Sequence, residues 1–407
     1  MPDERIVPNP AEEAYWAGLR HALMLDPTVT YLNNGSFGPC PKIVFDVVVE
    51  SMRRLQSQPF QQFLREIPQA VRASKEKLGA YVGANPDDFA FVMNLTIGMN
   101  MVAGGLDFER GDEILTTDQE YGAVNNCWNY LAERQGLTIA RVAIPSPPES
   151  EDQIVDIVAS GITPRTKALL VSHITTTTGL IMPVKRLAQA ARERGVLSVI
   201  DGAHAPGMIP LNVEDSGADF YIGNCHKWLM APIGTAFLHA RPESQKLLHP
   251  TIVGWGLTWD ALRRVIAADQ SDMYRLFEFL GSRDLSPFAG VGAAVDFQRG
   301  IGIDRIAGRG RRLARYARTR LLDAIPGVTL LTPWDERLSG SLTAFTMPTL
   351  TERDLMAEVW DRFRMQILGR VTENPEVTRC RLSTHYYNTY EDIDRFIEIL
   401  HELGAGR

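Results

Sequence analysis

The sequence has few cysteines and no long apolar run, and both features limit the class of protein. Only four cysteines occur in 407 residues, at positions 40, 127, 225 and 380. They form neither a CxxC pair nor a disulfide framework, which is typical of a reducing compartment. No apolar run reaches the roughly 20 residues that a membrane helix needs. Because residues 1–5 also lack the basic start of a signal peptide, we predict a cytoplasmic protein with no membrane partner.

Excess positive charge and a dinucleotide-binding fingerprint are also missing. The formal net charge is -7, which argues against a nucleic-acid partner. No GxGxxG follows the first predicted strand, so hydride transfer on a nicotinamide cofactor is disfavoured. Five arginines lie between Arg305 and Arg320 at loosely helical spacing with apolar residues, and we interpret them as the solvated face of an amphipathic helix.

One lysine stands in a stretch whose pattern suits covalent chemistry. Lys227 lies between two strand-like apolar runs and is followed by Pro232 and Gly234, so we expect it in a structured turn. A second buried-looking strand ends on Asp201. The carboxyl ends of parallel strands surround the ligand crevice, so we expect Asp201 near Lys227. Taken singly, such a lysine is usually a surface residue and such an aspartate a helix cap. Together they indicate pyridoxal phosphate, since lysine forms a Schiff base with its aldehyde and a carboxylate keeps its ring nitrogen protonated.

Two motifs carry a resemblance to a known family. Asp-Gly-Ala-His-Ala-Pro-Gly at 201–207 and Gly-Asn-Cys-His-Lys-Trp at 223–228 resemble the class V aminotransferase family, in particular its isopenicillin N epimerase-like branch. The resemblance implies an α/β, fold type I pyridoxal phosphate enzyme with a large, mostly parallel-sheet domain and a smaller α+β C-terminal domain. We predict an N-terminal helix or arm at 1–30, a large cofactor-binding domain at 31–290 and a small domain at 291–407.

The cofactor phosphate is expected at a helix N-terminus. After the predicted strand 89–93, a polar turn opens a helix whose free amides and dipole suit a phosphate. The resemblance places the backbone of Leu95 and the side chain of Thr96 there. It also places Ser282 at the phosphate of the neighbouring subunit's cofactor, which implies a homodimer with shared active sites.

The cofactor ring is expected to contact several further residues, each of which also has a purely structural interpretation. The resemblance implies that Tyr121 stacks on the ring, with packing alone as the alternative. Thr176 stands where many relatives carry an asparagine that faces the phenolic oxygen. His204, Asn224 and His226 are further cofactor contacts, although His204 could instead cap a helix and His226 could be a structural histidine.

Substrate binding is predicted at both ends of the chain. The turn-rich stretch around Asn33, Gly35 and Ser36 combines hydrogen-bonding groups with close backbone approach, and the resemblance places it on the substrate side. The family's closing Arg-x-Ser motif matches Arg381 and makes Arg379 the weaker candidate. A planar guanidinium suits an α-carboxylate because it can form two parallel hydrogen bonds with it. We predict no metal site.

The resemblance implies an amino-acid substrate whose Cα proton is removed by Lys227. Epimerisation, β-elimination or transamination can then follow, and an epimerase would need a second acid/base, for which Tyr121 and His204 are candidates. Desulfurase chemistry is disfavoured because no cysteine lies between Cys225 and Cys380. A binding protein without catalysis is disfavoured as well, since Lys227, Asp201 and Arg381 are all present. We favour β-elimination from a cysteine-type conjugate by a biosynthetic C–S lyase, with epimerase or aminotransferase as the alternative.

Overall fold

A computed structural model describes residues 9–258, 271–351 and 354–404. The strands are β1 (Thr30–Tyr31), β2 (Phe89–Val92), β3 (Glu113–Thr117), β4 (Thr138–Val142), β5 (Thr166–Ser172), β6 (Leu197–Asp201), β7 (Phe220–Asn224), β8 (Ala236–Ala240), β9 (Thr329–Leu330), β10 (Leu342–Pro348), β11 (Met365–Gln366), β12 (Leu368–Val371) and β13 (Val377–Ser383). The α-helices include Pro10–Arg20, Lys42–Ser57, Pro59–Gln61, Ile67–Val82, Leu95–Gly105, Gly122–Gln135, Glu151–Ser160, Val184–Arg192, Pro242–Gln245, Ser286–Ile301, Ile303–Ala324, Leu355–Phe363 and Tyr390–Glu402. None of the helices in these described ranges is long and apolar enough to cross a membrane.

A seven-stranded sheet organises the larger part of the chain. Its strand order is β2-β8-β7-β6-β5-β3-β4, and β8 runs antiparallel to both of its neighbours while the other pairs are parallel. Strands β2, β3, β7 and β8 are buried along their whole length. Helices cover both faces of such a sheet, which explains why these strands are apolar runs without alternation. The predicted fold class, an α/β fold of the fold type I kind, is confirmed.

The C-terminal part of the chain forms a smaller sheet with its own core. Strands β12, β13, β10 and β9 pair antiparallel in that order, and helices Ile303–Ala324 and Tyr390–Glu402 contact each other beside them. A hydrophobic cluster that includes Leu313, Phe345 and Phe396 fills the space between sheet and helices. The division at residue 290 stays a prediction, and helix Ser286–Ile301 spans it.

The N-terminal helix lies on this C-terminal part. Trp16 is buried in a cluster with Tyr386 and Tyr387. Arg309 is fully buried and donates to Glu13 Oε2 over 2.6 Å and to the carbonyl of Asn388 over 2.9 Å. The expectation of a solvated arginine face on this helix was therefore wrong at Arg309. It was also wrong at Arg318, which is buried and donates to the carbonyl of Pro333 over 2.8 Å. The buried guanidinium of Arg309 is tolerated because a carboxylate and a carbonyl accept from its terminal nitrogens, although its Nε has no partner among the described residues.

The predicted helix over residues 42–83 is divided. Lys42–Ser57 ends before Pro59, and a π-helical turn at Gln62–Glu66 precedes Ile67–Val82. Proline has no N–H to donate within a helix and fits the first turn of a new one, which explains the break. The sequence pattern predicted the helical content, whereas the interruption depends on Pro59.

A buried histidine in β8 leads to a stability prediction. His239 is buried, and neither ring nitrogen has a hydrogen-bond partner among the described residues. Burial lowers the pKa of His239 from 6.5 to about 4. The folded state then binds fewer protons than the unfolded state, so this residue costs stability as the pH falls through about 6.5 towards 4. We expect His239→Leu to remove that cost.

Urea unfolding near pH 7.5 and near pH 5 measures this effect. The advantage of His239→Leu over the wild type is expected to grow by about 2 kcal/mol at the lower pH, given about 1.4 kcal/mol per pKa unit. The exposed His249 provides a matched control through His249→Leu. An advantage of the same size at both pH values would contradict the prediction.

Candidate active site

Lys227 lies in the loop between β7 and β8, and that loop is firmly held. The amide of Ala231 donates to the carbonyl of Cys225 over 3.1 Å, which closes the loop on itself. Met230 adopts a left-handed backbone conformation (φ 58°), a strained state that persists only where the surroundings enforce it. Gly38 packs so closely beneath Lys227 that an added Cβ would lie 2.0 Å from the Lys227 carbonyl oxygen. The backbone of Lys227 is therefore fixed.

Asp201 and Lys227 line the same pocket. Strand β6 ends on Asp201 and pairs in parallel with β7, and Asp201 lies in register with Ile222. Asp201 Oδ1 accepts a hydrogen bond from the amide of Ala203 over 2.9 Å. The pocket is lined by Leu95, Tyr121, Ser172, Ile174, Thr176, Asp201, Ala203, His204 and Lys227. The strand-end argument from the sequence correctly predicted this meeting of the two residues.

Burial changes the protonation of both groups. It raises the pKa of Asp201 to about 6, and the amide of Ala203 and the charge of Lys227 only partly offset this. Burial lowers the pKa of Lys227 to about 8, with Asp201 opposing the change and Arg381 adding to it. A lysine with a pKa near 8 has a substantial neutral fraction near neutral pH, which suits a base. Lys227 Nζ lies 3.3 Å from His204 Nε2 and 6.0 Å from the centre of the Tyr121 ring.

Helix Leu95–Gly105 begins beside the pocket, as expected for a phosphate site. The side chain of Asn94 caps it by accepting from the amide of Ile97 over 2.9 Å. The amide of Leu95 donates to Asn224 Oδ1 over 2.9 Å, so that predicted donor already has a partner. Thr96 is the first-turn residue whose amide and hydroxyl have no partner among the described residues, which leaves both for a phosphate.

His226 has a structural contact of its own. Its Nδ1 donates to the carbonyl of Thr235 over 3.0 Å, and Phe37 stacks on its ring. Burial lowers the pKa of His226 to about 4. The imidazole is therefore neutral near neutral pH, so a role on the cofactor phosphate stays a prediction.

Arg381 projects from β13 into a group of polar side chains that contains no carboxylate. Its guanidinium donates to Thr176 Oγ1 over 2.5 Å, and to Asn33 Oδ1 and Ser36 Oγ over 3.2 Å each. Arg381 is buried, its Nε has no partner, and no described ion pair includes it. Gly35 leaves room for this approach, because an added Cβ would lie 2.8 Å from Ser383 Oγ and 3.2 Å from Arg381 Nη2. A buried guanidinium without a counterion is suited to bind an anionic ligand.

Some of the predicted site residues lie together at the pocket, and others lie apart from it. Thr176, expected at the cofactor ring, lines the pocket and also contacts Arg381. Ser282 is exposed in a turn after Gly281 and does not line this pocket, so its predicted role in a neighbouring subunit's site stays a prediction. Arg379, the less favoured of the two arginines on sequence grounds, is exposed.

Two residues near the pocket escaped the sequence interpretation. Glu120 is buried, and its carboxylate accepts from Thr117 Oγ1 over 2.7 Å and from Ser172 Oγ over 2.6 Å. Burial raises the pKa of Glu120 to about 7, and the nearby charge of Asp201 adds to this. Its position at the carboxyl end of β3 was the available signal. The other is Trp228, which donates to His204 Nδ1 and which the sequence motif contains without indicating that contact.

The donor set fits pyridoxal phosphate. Among the residues that line the pocket, Lys227 supplies an amine, Asp201 a carboxylate for the ring nitrogen and Tyr121 an aromatic face. Thr96 does not line the pocket itself but lies next to Leu95, which does, in the first turn of the adjoining helix. A buried carboxylate and a partly buried amine that converge on one pocket are costly unless they serve a ligand. Fold and site together define a fold type I pyridoxal phosphate enzyme.

Comparisons with known proteins give the family. The sequence profile described as Aminotransferase class-V matches residues 30–396. The chain is 39% identical to the isopenicillin N epimerase of Amycolatopsis lactamdurans, covering 95% of this chain and 98% of that protein, and 37% identical to that of Streptomyces clavuligerus, covering 96% and 98%. A putative L-cysteine desulfhydrase 1 of Oryza sativa subsp. japonica is 29% identical over 93% of this chain and 83% of that one. The chain belongs to the class V aminotransferase family.

Solved structures agree with the fold. The cystine C–S lyase C-DES, in complex with its product cysteine persulfide, superposes with a TM-score of 0.80 at 22% identity, covering 94% of this chain and 99% of that one. A cysteine desulfurase from Thermococcus onnurineus gives a TM-score of 0.79 at 22% identity, covering 99% of both chains. At these identities the likeness concerns the fold.

Proposed function

We propose that this protein is an amino-acid epimerase that uses pyridoxal phosphate. The observation that carries the proposal is the pairing of two acid/base side chains in one pocket, Lys227 Nζ 6.0 Å from the centre of the Tyr121 ring. Inversion at Cα requires one group to remove a proton and another to return it on the opposite face. The similarity to two isopenicillin N epimerases over nearly the full length supports the same reaction type.

Each residue has a stated task in this proposal. Bound pyridoxal phosphate withdraws electrons from Cα and so acidifies its proton. Arg381 binds the substrate α-carboxylate, with Thr176, Asn33 and Ser36 fixing the guanidinium. The neutral amine of Lys227 takes the Cα proton, and the Tyr121 hydroxyl supplies a proton to the opposite face of Cα. Asp201 would keep the ring nitrogen of the bound cofactor protonated.

A C–S lyase is the second candidate. The similarity to the rice protein named as a putative L-cysteine desulfhydrase favours it, and so does the sequence-based prediction of β-elimination from a cysteine-type conjugate. A lyase would need Lys227, Asp201 and Arg381 in the same tasks, but no proton donor on the second face of Cα. Tyr121 therefore distinguishes the two reactions.

We also propose a homodimer with shared active sites. Phe60, Ile233, Val253 and Trp255 are strongly exposed, and large exposed apolar side chains mark association surfaces. Ser282 is exposed as well, as a contact with the partner's cofactor requires. The cytoplasmic location and the absence of a nucleic-acid partner stay predictions.

One assay separates the two candidate reactions. The purified enzyme is incubated in D₂O with a panel of L-amino acids and cysteine S-conjugates, and product chirality, deuterium at Cα, free thiol and keto acid are measured together. Appearance of the D-enantiomer without thiol or keto acid supports the epimerase. Thiol and keto acid in equal amounts assign the lyase instead, and a keto acid without thiol assigns transamination.

Replacement of Tyr121 by phenylalanine is expected to abolish inversion selectively. Tyr121→Phe keeps the aromatic face but removes the hydroxyl, so formation of the D-enantiomer should fall by at least about 10²-fold, the typical contribution of a general acid. Exchange of the Cα proton on the Lys227 face should persist within a few-fold. Tyr130→Phe, at an exposed tyrosine on the following helix, is the matched control. Inversion at wild-type rate in Tyr121→Phe would exclude Tyr121 as the second acid/base.

A further inference from the structure

His204 lies between the amine of Lys227 and the indole of Trp228, and each of its ring nitrogens makes one of these contacts. His204 Nε2 is 3.3 Å from Lys227 Nζ, and the Trp228 indole N–H donates to His204 Nδ1 over 3.0 Å. An indole nitrogen can only donate a hydrogen bond. His204 Nδ1 therefore accepts, and the neutral imidazole carries its hydrogen on Nε2, the nitrogen that faces Lys227.

Trp228 is held so that its N–H has a fixed direction. The Trp228 carbonyl accepts from Gln298 Nε2 over 2.8 Å and from His385 Nε2 over 3.0 Å. The Trp228 ring stacks on the His385 ring, with centroids 5.5 Å apart and an angle of 28° between the planes. Both Trp228 and His204 are buried, so water does not compete for the hydrogen bond.

We propose that Trp228 is a positioning residue that fixes the tautomer of His204, so that His204 Nε2–H donates to the neutral amine of Lys227. The ammonium form of Lys227 finds no acceptor on His204, because the only lone pair of the ring is taken by Trp228. This favours the neutral amine, which is the form that can take a proton. The inference rests on the proposed role of Lys227 as the base.

The same contact decides between the two candidates for a second acid/base. His204 lies on the Lys227 side, and its one proton-accepting nitrogen is occupied by the Trp228 N–H. In a protonated His204, the Nδ1–H would point at the indole N–H of Trp228. This repulsion favours the neutral ring. Tyr121 is then the remaining candidate of the two.

Other ionisable groups also act on these two residues. Asp201 favours the charged form of Lys227 and Arg381 disfavours it. Burial, Lys227 and Arg381 all hold the pKa of His204 well below its ordinary value. The buried Glu120 interacts electrostatically with Asp201. A variant that removes only the Trp228 N–H leaves all of these groups in place.

The first test is spectroscopic and needs no substrate. ¹⁵N chemical shifts of the histidine rings are measured on the full-length protein labelled at its eight histidines, and the His204 signals are assigned by their loss in His204→Gln. We expect protonated Nε2 and unprotonated Nδ1 between about pH 6 and pH 9. A proton on Nδ1, in either the neutral or the charged ring, would overturn the proposal even if the protein is a lyase.

The second test uses the pH dependence of Cα deuterium exchange with the fastest L-amino acid of the panel above. Trp228→Phe, or benzothienylalanine at position 228, removes the N–H, and the latter preserves the ring shape. Without that donor His204 can turn its lone pair towards Lys227, so the midpoint of the acidic limb is expected to rise by about one pH unit, roughly the value of one hydrogen bond.

A matched control separates this effect from simple loss of packing. Trp128 is a buried tryptophan whose indole N–H has no partner among the described residues, and Trp128→Phe is expected to leave the midpoint unchanged. A lower rate with an unchanged midpoint in the benzothienylalanine variant would refute the role of Trp228. If neither variant at position 228 folds, the ¹⁵N measurement on the wild type decides the question.

Discussion

Replacing Lys227 by alanine is expected to lower Cα proton exchange by at least about 10³-fold with every amino acid of the panel. Loss of a general base alone typically costs 10² to 10⁴, and this lysine is also the proposed attachment point of the cofactor. The buried pocket offers no second free amine, since its other lining residues carry none. The measurement is deuterium incorporation at Cα, together with mass spectrometry after borohydride reduction, which should find the cofactor covalently bound in the wild type only.

The matched control for this variant is Lys185→Ala. Lys185 is exposed and pairs with Asp215 on the surface, so its loss should leave exchange within a few-fold of the wild type. Addition of small primary amines should partly restore exchange in Lys227→Ala, because the pocket would then admit the missing base. Wild-type exchange in Lys227→Ala would refute the assignment of this residue, and with it the proposed function.

Removal of the Arg381 guanidinium should have the second largest effect, chiefly on substrate affinity. Arg381→Ala is expected to raise KM by about 10²-fold to 10³-fold, since truncating one partner of a buried charge-assisted contact costs about 2–4 kcal/mol. Arg381→Lys should recover only part of this loss, because an ammonium cannot form two parallel hydrogen bonds to a carboxylate. Steady-state kinetics with the best amino acid of the panel provide the measurement.

Arg379 offers a close control for Arg381. It lies on the same strand, two residues earlier, and it is exposed. Arg379→Ala should leave KM within a few-fold of the wild-type value. If the amide of the substrate binds as well as the free acid, or if KM is unchanged in Arg381→Ala, the buried arginine does not bind the α-carboxylate.

The sequence could predict the sheet and the Lys227–Asp201 pair because both depend on local patterns. An apolar run that ends on a charged residue, as at Asp201, predicts a buried parallel strand with its functional group at the carboxyl end. Lys227 follows β7 and Asp201 ends β6, and adjacent parallel strands bring their ends together whatever the rest of the chain does. The helix N-terminus at Leu95 follows from the same strand, turn and helix pattern.

Buried ionisable side chains were harder to assign. Arg309 belongs to a helix whose periodic pattern indicated solvated arginines, yet it is covered by the N-terminal helix and paired with Glu13. The pattern of one helix shows which side is polar but not what packs on that side. His239 is a similar case, because its burial in β8 depends on elements that cover the sheet.

By itself the sequence determined the fold class, and it singled out Lys227 and Asp201 for the proposed cofactor site and Arg381 for the proposed substrate-carboxylate site. Only the tertiary structure decided which groups surround them: Thr176 and Asn33 on Arg381, and Trp228 on His204. The physical reason is that these hydrogen bonds join residues 24 to 348 positions apart and depend on packing and direction at the level of an ångström. Residue pattern carries no such information, so the lowered pKa of Lys227 and the polar contacts of Arg381 are properties of the folded chain.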